Sequence, residues 1–183
     1  MFDLDTFVSD CLEASRADQP RLAVKEVLDR AVSAPGEVAE ALPPTMAELA
    51  KLHVSDELTI LKVVWAPGMS IRPHDHRTWA AIGMYTGGED NTFYRRVDGG
   101  ITESGGTDLR PADSCLLGDD TIHKVHNPTR DYAGAIHIYG GDFFAIERSG
   151  FDPETLEEHP YDGAASQREF EEENARIRAE AET

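Results

Sequence analysis

The chain has 183 residues, enough for one domain with a single sizeable core, and its 40% hydrophobic content is that of a globular protein. Lys and Arg number 17 against 35 Asp and Glu, giving a formal net charge of -18 that sets the surface against nucleic acid and anionic membranes. No apolar run reaches the length of a membrane span, and the acidic start Met1-Phe2-Asp3-Leu4-Asp5 lacks the parts of a secretory signal, so a soluble, cytoplasmic protein is expected.

The first fifty residues read as helical. Leu4, Phe7, Val8, Cys11 and Leu12 recur at helical spacing behind a capping Asp3 or Asp5. Pro20 opens a second segment, in which Leu22, Val24, Val27, Leu28, Ala31 and Val32 lead to the break at Ala34-Pro35-Gly36. A shorter piece over 36–41 ends at Pro43-Pro44. From about Leu58 the pattern changes to short β-rich runs, at 58–65, 79–85, 91–97, 115–117, 123–126 and 135–139. Turn residues separate them: Gly87-Gly88, Asp98-Gly99-Gly100, Gly105-Gly106, Gly118-Asp119-Asp120, Asn127-Pro128 and Gly140-Gly141. Such spacing predicts a β-sandwich or barrel. The tail, 166–183, is dense in Glu and Arg and reads as a solvated terminal helix. The expected layout is a helical segment over 1–50 packed on a barrel over 51–165, then the charged helix 166–183, all one domain. Cys11 and Cys115 form no paired motif; reduced thiols are expected, with a single bridge between them left open.

One constellation carries chemistry. His74 and His76 are one residue apart, so on a strand both imidazoles face one side. His123, from a distant strand, would complete a three-sided metal site with open positions for water and substrate. A closed structural zinc site would use more ligands, usually cysteines. His126 lies three residues from His123 and faces the other way on a straight strand. Asp119 and Asp120 belong to a turn, Trp79 and Tyr85 read as core, and His53 and His159 carry no signal.

Gly68 followed by five residues and His74-x-His76, with His123 followed by three residues and Asn127, resembles the two signatures of the cupin family. That resemblance implies a mainly β, double-stranded β-helix of the jelly-roll type with a metal in the barrel mouth. Many cupins carry a glutamate shortly after the H-x-H; here the stretch reads Arg77-Thr78-Trp79-Ala80-Ala81-Ile82. A three-histidine site without a carboxylate is similar to the cysteine dioxygenase family of thiol dioxygenases. Ala135-Ile136-His137-Ile138-Tyr139 resembles that family's Ser-x-His-x-Tyr strand. So do Asn91 to Arg96 and Tyr139-Gly140-Gly141-Asp142-Phe143-Phe144 resemble its bacterial members.

The resemblance implies Fe(II) held by His74, His76 and His123, with Zn, Ni or Mn as alternatives, and His137 and Tyr139 beside the metal as catalytic residues. The expected reaction oxidises a small thiol, of the cysteine or 3-mercaptopropionate type, to its sulfinate with O2. Its partners are that thiol and O2, with neither nucleic acid nor membrane, in a monomer or homodimer. Three departures stand out. Ala81 occupies the place of the cysteine that animal members cross-link to the tyrosine, so no cross-link is expected. Ala135 replaces the serine. Where the family's carboxylate-binding arginine should fall, the chain offers only Lys51 and His53, which leaves Arg72, Arg77, Arg95 or Arg96 as candidate anchors. Two other readings keep the barrel: a carbon-substrate dioxygenase or isomerase using another metal, and a non-catalytic metal or small-ligand binding module.

Overall fold

The computed structural model describes residues 1–182; Thr183, the end of the predicted tail, lies outside the described residues. Three helices come first: α1 (Leu4–Ala14), α2 (Pro20–Val32) and α3 (Pro35–Ala41). The Asp3 carboxylate caps α1 by accepting from the Thr6 N–H at 2.8 Å. Pro20 and Pro35 begin α2 and α3, where a missing N–H leaves no bond unmade. Eleven strands follow: β1 (Glu48–Val54), β2 (Leu58–Trp65), β3 (Ser70–Asp75), β4 (Ala80–Thr86), β5 (Glu89–Val97), β6 (Gly100–Leu109), β7 (Ser114–Leu117), β8 (Ile122–His126), β9 (Ala133–Gly140), β10 (Ser149–Phe151) and β11 (Glu158–Pro160). A final helix, α4, spans Gly163–Ala181. None of the helices is long and apolar enough to cross a membrane.

The strands form two antiparallel sheets, ordered β1-β2-β9-β4-β7 and β11-β10-β3-β8-β5-β6. Apart from the hairpins β1-β2, β5-β6 and β10-β11, neighbours in each sheet come from distant parts of the chain, because the chain passes repeatedly from one sheet to the other. This is a jelly-roll barrel, the double-stranded β-helix that the sequence resemblance implies.

Every residue of β2 is buried, because both faces of its sheet are covered. Leu58 and Ile60, with Ile136, Ile138, Ala81 and Tyr85, face the helical layer of Leu28, Val32 and Val38. The alternate residues Leu61, Val63 and Trp65 turn into the barrel. Gly83 of β4 permits this contact: a Cβ there would lie 2.8–2.9 Å from the Leu28 and Val32 side chains.

Five strands escape the sequence reading, each for a local reason. Pro73 and a register shift between Ile71 and His74 obscure β3. Gly105 and Gly106 read as a turn but pair with Phe93 and Thr92 in β6, at a bulge next to the Phe93–Tyr94 step. Gly105 adopts φ +144, and a Cβ on Gly106 would come within 2.6 Å of the Asn91 carbonyl oxygen, so glycine is needed at both. The mixed edge strand β1 already begins at Glu48, and β10 and β11 have three residues each.

The charged tail is the main difference from expectation. α4 begins at Gly163 and lies across the barrel rather than in solvent: Ser166, Phe170 and Asn174 are buried on one stripe. Asn174 bonds both the N–H and the C=O of Ala47, at 2.9 and 2.8 Å, and Phe170 packs on Trp65 with ring centroids 5.5 Å apart. The glutamates and arginines that suggested solvation occupy the other faces. Both cysteines are free thiols, Cys11 in the helical layer and Cys115 on β7. Burial pushes each thiol up to about 12, so neither is a ready nucleophile.

Candidate metal centre

His74 lies near the end of β3 and pairs directly with His123 on β8; His76 follows the strand by one residue. All three rings turn into the barrel and are almost fully buried. His76 Nε2 lies 3.2 Å from His74 Nε2 and 3.1 Å from His123 Nε2. Lone pairs that close repel unless a proton or a cation lies among them. Two nitrogens bound at about 2.0–2.1 Å to one ion sit about 2.8–3.4 Å apart across octahedral and tetrahedral geometries, so the observed spacing fits a shared metal.

The outer ring nitrogens support that fit. His74 Nδ1–H donates to the Arg72 carbonyl at 3.0 Å, and His123 Nδ1–H donates to Asn91 Oδ1 at 2.6 Å. Both rings thereby present unprotonated Nε2 atoms to the centre. Burial pulls His74 down to about 4 and drives His76 and His123 well below the ordinary range, and their mutual repulsion adds to the effect. All three are neutral at physiological pH, which is the ligating form. Among the described residues they are the cluster whose ligand atoms converge, lying within 4.8 Å of one another.

Across the barrel, His137 and Tyr139 share the inner face of β9. His137 Nδ1 and the Tyr139 hydroxyl are 3.1 Å apart, and His137 Nε2 lies 3.2 Å from Glu89 Oε2. Tyr139 meets the His76 ring edge-on at 5.0 Å and stacks on Phe143 at 3.9 Å. Burial raises the Tyr139 phenol far above its ordinary value, so it keeps its proton at neutral pH.

Glu89, at the start of β5, has no exposed surface. Its Oε2 also accepts from the Trp65 indole N–H at 2.8 Å, and its Oε1 from Asn91 Nδ2 at 3.0 Å. Burial alone would raise this carboxyl. The adjacent His137 and the three hydrogen bonds outweigh it and hold the group below its ordinary value, so Glu89 is ionised. This carboxylate is the partner of His137 on the side away from Tyr139. Its parity with Asn91 was a signal for it, hidden because Gly87-Gly88 suggested that the strand began later.

The cluster opens into a cavity of about 340 Å³ with apolar walls from Leu49, Leu61, Ile71 and Val125. Arg148, which the sequence reading missed, lies on its wall. The guanidinium is held between the rings of Phe143 and Tyr161, 3.9 and 4.1 Å from their centroids. Nη1 donates to the Phe143 carbonyl at 2.8 Å, while Nε is buried with no partner. Arg148 sits in an irregular segment after β9, where no periodicity aims a side chain.

The four arginines read as anchors lie elsewhere. Arg72 is engaged by Glu169 of α4. Arg77, in a left-handed turn (φ 54) directly after His76, folds back to Asp75 at 2.8 Å. Arg96 bonds Asp75 at 2.9 Å and also pairs with Glu158. Arg95 is exposed on β5. None lines the cavity, because the barrel turns those positions outward. Of Lys51 and His53, the two basic residues that the sequence offers on β1, Lys51 reaches the rim, its Nζ 3.9 Å from the Phe144 ring centroid. His53 instead meets the Ser55 hydroxyl. His126 bonds Ser70 outside the site, and the Asn127 amide ties Trp65, Ala66 and Asp131 carbonyls together.

No family model matches the chain. Among solved structures it is similar to a protein from Bacillus halodurans, at 16% identity and a TM-score of 0.51 over 57% of this chain and 77% of the other. It is also similar to an RmlC-like cupin family protein with a double-stranded β-helix fold from Methanocaldococcus jannaschii, at 10% identity and a TM-score of 0.47 over 56% of this chain and 86% of that one. A double-stranded β-helix protein from Klebsiella pneumoniae matches at 11% and 0.44, over 54% and 75%. At 16% identity the likeness to the Bacillus halodurans protein is one of fold alone. Fold and site together define a double-stranded β-helix barrel whose His74, His76 and His123 are arranged so that they could hold a metal ion.

Proposed function

We propose that this chain is a thiol dioxygenase that takes a small thiol bearing an acid group and returns its sulfinate. The carrying observation is the pairing, in one cavity, of a neutral three-nitrogen metal site with an arginine that lacks an acidic partner. Three imidazoles leave a divalent ion its full charge, which a thiolate neutralises well; an added protein carboxylate would already have done so. Fe(II) bound there would supply O2 chemistry and make the coordinated thiol more acidic. The balance is simple: RSH and O2 give RSO2H, both oxygen atoms ending on sulfur, with no outside reductant.

The chain's residues divide the remaining work. Arg148, on the cavity wall and without an acidic partner, holds the substrate's carboxylate, and the aromatic rings beside it fix the guanidinium plane. Lys51 adds positive charge at the rim. The Tyr139 hydroxyl receives the thiol proton as it passes its own to His137 Nδ1, and Glu89 is the counter-ion of the imidazolium that results. Leu49, Leu61, Ile71 and Val125 keep water from the reacting atoms.

The test is oxygen uptake by anaerobically reconstituted Fe(II) protein against 3-mercaptopropionate, cysteine and cysteamine, with His76→Ala as control. Iron-dependent uptake that favours the acids and disappears in the variant supports the reading. Stoichiometric metal without uptake from any thiol overturns it.

A further inference from the structure

Glu89 touches neither the histidine cluster nor the cavity, yet its bonds run to both sides of the site. Trp65 and His137 reach it from the sheet of β2 and β9, Asn91 from its own strand in the opposite sheet. An indole N–H can only donate, and an ionised carboxylate can only accept. Asn91 must therefore turn its Nδ2 to Glu89, and so its Oδ1 to His123. Facing an acceptor at 2.6 Å, His123 has to carry its proton on Nδ1, which leaves Nε2 free. Each link has one allowed polarity, and the whole sequence is set by the carboxylate at its end.

We infer that Glu89 is a positioning residue that fixes the ligating tautomer of His123 through Asn91 while orienting His137 for Tyr139. One buried anion thereby sets both halves of the site. The inference rests on the reading of His74, His76 and His123 as metal ligands, but not on the thiol reaction.

Glu89→Gln is nearly isosteric and makes the argument testable. The indole and imidazole donors claim the Gln carbonyl, which turns its NH2 toward Asn91. Asn91 must then flip and present Nδ2 to His123, forcing the His123 proton onto Nε2, where it blocks the metal. Two-bond ¹H–¹⁵N spectra of histidine-labelled metal-free protein, assigned with His123→Gln, should show Nδ1–H at His123 in the parent and Nε2–H in Glu89→Gln. Affinity for Co(II), measured by chelator competition and by its visible spectrum, should fall about 10- to 100-fold. Asn91→Leu should lose similar affinity while leaving the His137 tautomer unchanged, and it decides the matter if Glu89→Gln does not fold. An Nε2–H tautomer at His123 in the parent, or parent-like Co(II) affinity in either folded variant, would overturn the inference. Failure of the parent to bind Co(II) would overturn the metal reading with it, whereas tight Co(II) binding without thiol oxidation would sink the reaction and leave Glu89's role standing.

Discussion

The two faces of β3 and the residue after it feed two polar clusters that differ in how completely their charges are met. Outward, buried Asp75 accepts from Arg77, Arg96 and the Ser149 N–H, while Glu158 pairs with the same two arginines. Inward, His74 and His76 join His123 beside an arginine with a free donor, and His76's own Nδ1 has no partner. The outer cluster is closed and can only clamp β3 to β10. The inner one leaves donors and lone pairs available for something else. Incomplete satisfaction in a buried cavity is costly to stability, and its concentration on one side of the strand points to where binding takes place.

Breaking the inner cluster should therefore cost function, and breaking the outer one stability. The largest effect is expected for His76→Ala. It should lose stoichiometric Fe(II) by metal analysis and bring oxygen uptake to background while the fold persists; full metal retention would contradict the ligand set. Arg148→Met comes next. Losing a charged hydrogen bond of about 2–3 kcal/mol should raise KM for 3-mercaptopropionate on the order of 50-fold. KM for cysteamine, which has no acid group, should barely move, and equal effects on both would remove Arg148 from acid recognition. Asp75→Asn probes the other face. With both arginines about 40% exposed, solvent screening limits the loss to about 2 kcal/mol in urea unfolding, and Co(II) affinity should be retained.

A pH series reaches the inner cluster without mutation. Burial lowers His74 to about 4 in the folded chain, against about 6.5 when unfolded. Below pH 6.5 the unfolded chain holds more protons. The stability is thus full above that pH and is lost as the pH falls toward 4, by roughly 2 kcal/mol at pH 5 from this one group. His76 and His123 shift in the same direction. Urea midpoints of metal-free protein at pH 7.5 and 5 should show the loss, and His74→Gln should reduce it; a flat profile would contradict the buried neutral cluster.

Much of the fold and of the site is legible in the sequence. Alternation alone put His74 and His76 on one face, and the same parity joined His137 to Tyr139. The apolar run of β2 and the stripes of α1 and α2 announced themselves because packing dictates their spacing. What stayed hidden was placed by tertiary structure or masked by local composition. Arg148 is aimed by the rings of Phe143 and Tyr161, which come from separate segments of the chain. Glu89 followed two glycines that read as a turn. In α4, Ser166, Phe170, Asn174 and Ile177 keep helical spacing, but the surrounding charge drew the reading toward solvent. Arg72, Arg77, Arg95 and Arg96 show the converse: none of them lines the cavity, so a charged residue near the motif is no guide to which side of the barrel wall it faces.

The central claim is that both atoms of O2 end on the sulfur of an acidic thiol in this cavity. The direct measurement is a single-turnover reaction of Fe(II)-loaded protein with 3-mercaptopropionate under ¹⁸O2, with the product read by mass spectrometry. The expected product is a sulfinate carrying two ¹⁸O atoms, formed by the parent and absent with His76→Ala. A disulfide, a singly labelled product, or unreacted thiol beside fully metal-loaded protein would contradict it.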